Sequence, residues 1–86
     1  MLKYTKHTLQ KMEDLLQEIG YEVRTGKGSF STGYCILESK KVVVINRYHS
    51  TEARILSLIE ILRQIEVDVE ELEDKSKIYY KQLVEE

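Results

Sequence analysis

The chain predicts an α+β domain of order α-β-β-β-α-α, a three-stranded antiparallel meander packed with three helices. Two observations lead there. Apolar residues recur at helical spacing before Gly20 and after Ser50. Between those segments lie two short runs, Tyr34–Leu37 and Val42–Ile45, that are apolar at every position and bounded by glycines and a polar turn.

The first helix is read over about residues 6–19. Leu9, Met12, Leu15, Leu16 and Ile19 share one arc, and Gln10, Glu13, Asp14, Gln17 and Glu18 lie off it. Thr5 suits the N-cap and Gly20 the left-handed C-terminal position. Tyr21-Glu22-Val23-Arg24 then alternates, as a half-exposed edge strand does. Gly26-Lys27-Gly28 turns the chain into Tyr34-Cys35-Ile36-Leu37, and Glu38-Ser39-Lys40 turns it again into Lys41–Asn46. A sheet with one wet face alternates apolar and polar residues. This hairpin does not, so both its faces are expected to be covered, one by helices and the other by the remaining helix or a second protomer.

Ser50 or Thr51 caps the second helix, with Glu52 in its first turn. Ile55, Leu56, Leu58, Ile59, Ile61, Leu62 and Ile65 spread over more than half of its circumference, leaving a polar strip of Ala53, Ser57, Glu60 and Gln64. So wide a stripe predicts contact on several sides and makes this helix the centre of the fold. Asp68 with Glu71 reads as the start of a third helix running to about Val84. Its inner face collects Val69, Leu72, Tyr79, Tyr80, Leu83 and Val84, with Ile78 on the outer, charged side.

The 86 residues make one domain, 1–86, whose small core is often completed by a partner chain. No apolar run is long enough to span a membrane, and no signal-peptide core opens the chain. A single cysteine cannot form an internal disulfide, which fits a reducing cytoplasm. The net charge of −2 is divided unevenly. Residues 1–49 hold eight Lys/Arg against five Asp/Glu, while residues 50–86 hold five against ten.

Residues for catalysis are sparse. Cys35 sits in a strand between apolar neighbours, where a thiol is expected to be buried and inert. A nucleophilic Cys35 needs His49 as its base, from the strand-to-helix connection. His7 belongs to a solvated helix start. Two histidines and one cysteine have no metal-ligand spacing, and Gly26, Gly28 and Gly33 do not form a phosphate loop. No cofactor or metal is therefore expected.

Two resemblances add to this reading. The stretch from Asn46 through Arg54 to Arg63 resembles a zincin unit of the IrrE-like metallopeptidases. Those enzymes place a strand ending in Asn before a helix of the form R-F-T-x-A-H-E-x-x-H. Asn46, Arg54 and Glu60 fall on that pattern, but Ile59 and Arg63 stand where the zinc histidines belong. Neither side chain ligates zinc. The resemblance therefore implies a degenerate metallopeptidase-like domain without activity. Gly28, Phe30, Gly33, Tyr34, Cys35, Lys41–Val44 and Asn46 also resemble a G-x-F-x-x-G-Y-C hairpin followed by K-V-V-V-x-N, found in short bacterial proteins of unknown function. That resemblance implies no activity.

The expected function is accordingly non-catalytic: a small cytosolic protein-interaction module, homodimeric or bound to another protein. The alternative is a nucleic-acid-associated regulator. Arg24, Lys27, Lys40, Lys41 and Arg47 lie at strand ends and turns, among Tyr21, Phe30, Tyr34 and Tyr48. The sequence pI of about 5.7 counts against that alternative.

Overall fold

The computed structural model describes residues 3–85. Residues 1, 2 and 86, at the ends of the expected domain, lie outside that range. The elements are α1 (Lys6–Ile19), β1 (Glu22–Gly26), β2 (Gly33–Leu37), β3 (Lys40–Asn46), α2 (Thr51–Gln64), a 3₁₀ turn (Val69–Glu71) and α3 (Asp74–Glu85). The α+β class stands, with three helices and a three-stranded sheet.

The meander does not stand. The sheet order is β1-β3-β2, with β1 parallel to β3 and β2 antiparallel to it. β3 takes the centre because Val42, Val43 and Ile45 let it be buried on both faces. β1, carrying Glu22 and Arg24, takes one edge. To place β2 on the far side of β3, residues 27–32 must cross the end of β3. Asn46 holds this crossing. Its Nδ2 donates to the carbonyls of Gly28 (2.9 Å) and Phe30 (2.5 Å), and its backbone N–H donates to Thr32 Oγ1 (3.1 Å).

The helices begin and end largely where their caps place them. Thr5 Oγ1 accepts from Thr8 N–H, and Gly20 closes α1 at φ 107°, a left-handed value that glycine adopts without strain. Ser50 Oγ accepts from Ala53 N–H at the start of α2. The third helix differs from expectation. Asp68 caps only the 3₁₀ turn, Leu72 drops into the core, and α3 starts anew at Asp74. Glu18 of α1 supplies the missing N-terminal acceptor, taking hydrogen bonds from Glu73 N–H (2.9 Å) and Ser76 Oγ (2.7 Å).

One hydrophobic cluster joins Leu9, Met12, Leu15 and Leu16 of α1, six residues from Ile55 to Ile65, and Leu72 and Leu83 to Tyr21, Val43 and Ile45. All three helices therefore lie on one face of the sheet, the face of Val43 and Ile45. The molecule measures 36 × 34 × 18 Å. The short dimension is the thickness of one sheet and one helical layer. No described helix lies on the sheet's other face, although Val42 and Asn46 there are buried, and Leu56, expected in the apolar stripe, is 47% exposed on the outer side of α2.

Candidate interaction surface

Side chains alternate across a strand, so the register assigns each residue of the sheet to a face. Val43 pairs with Val23 and Tyr34 on the helical side. Val42 pairs with Glu22 and Cys35, and Val44 with Arg24 and Gly33, on the uncovered side. Val42 is nevertheless only 1% exposed, and Asn46, further along the same face, 2%, so this side lacks a helix but is not bare. Glu22 and Arg24 form an ion pair along β1. Phe30 folds back from the crossing loop; a Cβ added at Gly28 would stand 3.3 Å from its ring.

β2 is exposed on both faces. On the helical side, Tyr34 is 40% and Ile36 65% exposed; on the uncovered side, Leu37 is 50% exposed. Cys35, expected to be buried, is exposed, because β2 is an edge strand and Cys35 lies on the face that carries no helix. Tyr34 meets Tyr21 edge-on, with ring centroids 6.5 Å apart, and the Lys41 ammonium lies 5.8 Å from the Tyr21 ring. Burial and then the neighbouring Tyr34 push the Tyr21 hydroxyl pKa upward.

Beside β2, an open cleft of about 360 Å³ is lined by Thr32, Gly33, Tyr34, Ser57, Glu60, Ile61 and Gln64. Glu60, the acid of the zincin-like pattern, thus lines a concavity. Neither Cys35 nor His49 lines that cleft. Cys35 stands on the opposite face of the sheet, and His49 is held in the β3–α2 connection, its carbonyl accepting from Arg54 Nε at 3.0 Å. His7 is exposed on α1. Ile59 is a core residue, and Arg63 lies on the outer surface of α2. Among the described residues no group of three or more His, Cys, Asp or Glu could hold a metal ion.

The five cations singled out from sequence are not brought together. Lys27 and Arg47 stand at one end of the sheet, where Arg47 N–H donates to Gly26. Lys40 and Lys41 open β3 at the other end, roughly 20 Å away at the usual strand rise. Lys40 and Lys41 also point to opposite faces, and Arg24 is engaged by Glu22. Sequence reading missed the exposure of Tyr34, Ile36 and Leu37. The signal in the sequence is that Gly33–Leu37 lacks the polar alternation of a half-buried strand, a pattern shared by a strand covered on both faces and by an uncharged edge.

No protein-family model, curated protein or solved structure matches the chain. Among the described residues no helix is long and apolar enough to cross a membrane.

Proposed function

We propose that this protein is a small non-catalytic interaction module, homo-oligomeric or bound to another protein, whose binding element is β2. One observation carries this reading. Four consecutive residues of an edge strand, Tyr34–Leu37, are exposed, and none is charged. Natural edge strands are normally blunted by lysine, proline or a bulge, because their free N–H and C=O groups recruit other strands. β1, the other edge, carries Glu22 and Arg24; β2 carries no such residue. The exposed thiol of Cys35 supports a reducing, cytoplasmic setting, where it stays unoxidised.

Site-specific photocrosslinking in the producing cell tests the reading. A benzophenone side chain replacing Ile36 should give a discrete adduct. The same probe replacing Ile78, an equally apolar residue 62% exposed on α3, should give none. Absence of an adduct at position 36, or equal labelling at both positions, would sink the proposal.

A further inference from the structure

We infer that the occupant of the β2 edge is a second copy of this chain, paired antiparallel about a two-fold axis through Cys35 to form one continuous sheet of order β1-β3-β2-β2-β3-β1. This rests on the reading of the protein as an interaction module and names the partner.

The hairpin geometry sets the register. Glu38 and Ser39 form its two-residue turn, so the flanking Leu37 and Lys40 make a hydrogen-bonded pair. Gly33 and Cys35, in phase with Leu37, also direct their backbone groups to β3. Tyr34 and Ile36 direct theirs outward. An antiparallel neighbour must therefore bond to Tyr34 and Ile36. In a two-fold pairing centred on Cys35, Tyr34 of each copy meets Ile36 of the other, giving about four new backbone hydrogen bonds. Centring the axis on Ile36 instead would bring Tyr34 against Glu38, which leaves the strand conformation at φ 49°. Centring it on Tyr34 would draw on Thr32, which lies outside β2.

The side chains fit the same register. On the helical face the pairs are Tyr34 with Ile36, the aromatic and β-branched combination that stabilises antiparallel neighbours. On the uncovered face each Leu37 lies over the partner's Gly33, a large residue over an absent side chain. β2 bears no charge, so no like charges meet across the axis, and nothing on the strand selects an acidic or basic partner. The two Cys35 residues face each other as a non-hydrogen-bonded pair, with Cα atoms about 4.5 Å apart. That lies within the disulfide range of about 4.4–6.8 Å.

Mass by light scattering, from low to high micromolar full-length protein, is combined with trapping by a diazene oxidant. The diazene takes two electrons and two protons from the facing thiols and leaves as the hydrazine, while the sulfurs join. The expected result is a concentration-dependent dimer, most of it trapped through Cys35. Cys35→Ser should still dimerise without trapping. In Cys35→Ser/Ile36→Cys the new thiols are offset by two residues along the strand, beyond disulfide reach, and should trap poorly. Ile36→Lys, at an exposed position, should keep its circular dichroism and weaken association by about tenfold or more. A monomer throughout the range, or a dimer that survives Ile36→Lys and is not trapped, overturns the inference. If the protein is monomeric but the position-36 probe captures a different protein, the second-copy assignment fails and the interaction-module reading stands. If the probe captures nothing either, both fail.

Discussion

Asn46 joins parts of the chain that are distant in sequence, and it does so with every polar atom of its side chain. Its amide donates to Gly28 and Phe30, and its Oδ1 accepts from Tyr48 N–H at 3.0 Å. The residue is 2% exposed, so water cannot replace these partners. Asn46→Ala should cost about 2–3 kcal/mol in chemical denaturation, because carbonyls and an amide lose their partners together. Asn46→Asp should be at least as harmful at neutral pH, since a carboxylate would face two carbonyl oxygens; recovery at acid pH is expected, where the neutral acid can donate. Glu13 gives a second pH-dependent outcome. Burial raises its pKa, Asp14 raises it further, and Arg54 opposes both. The folded chain therefore holds this proton more tightly than the unfolded chain. The ionised carboxylate destabilises the fold at neutral pH, and that penalty is relieved as pH falls through the folded-state pKa. Glu13→Gln should raise the melting temperature at pH 7, with the gain shrinking towards pH 4. A gain independent of pH would refute the electrostatic cause.

The β2–β3 turn shows how an element can form despite its residues. Glu38 and Ser39 sit at φ 49° and 72°, values that suit Asn-Gly and strain other residues. Replacing the pair by Asn-Gly should stabilise the protein by about 1–2 kcal/mol without changing the fold; a loss of stability would mean that the Glu38 side chain makes a contact worth more than the strain. Local chemistry made α1 and α2 legible in the sequence: Thr5, Gly20 and Ser50 cap them as their residue types require. The same reasoning misplaced the third helix, because Asp68 caps a turn that ends at Leu72, while the acceptor that starts α3 comes from Glu18, fifty-five residues earlier than Glu73. Strand order was not legible for a similar reason. The parallel pairing of β1 with β3 depends on the crossing that Asn46 secures, and no pattern within either strand records it. The burial expected of Cys35 fails for a related reason: an uncharged strand reads alike whether it is central or at an edge. The five basic residues are close in kind but not in space, since sequence gives no measure of which end of a strand each occupies once the order changes.

At the scale of the whole molecule, β2 stands apart from the other elements. Every helix and both other strands supply at least one residue to the hydrophobic cluster or its packed margin; β2 supplies none. It pairs with β3, and apart from the Tyr34 ring set edge-on against Tyr21 its side chains gain little from the fold of a single copy. Stability and surface hydrophobicity are therefore separated in this protein, which makes the contributions of core and edge measurable independently. Leu58→Ala, at a position with no exposure, should lose about 2–5 kcal/mol as transfer energy and a residual cavity add. Ile36→Thr, on the exposed strand, should change stability by no more than about 0.5 kcal/mol when measured at low micromolar concentration. The contrast should narrow as the protein is concentrated, because association adds stability to the chain that can pair and not to the variant that pairs poorly. Equal losses for the two variants at low concentration would mean that β2 is already part of a single chain's core. A loss for Ile36→Thr that grows with concentration locates the strand's contribution between copies, where the free edge of β2 finds the neighbouring strand that a single chain does not give it.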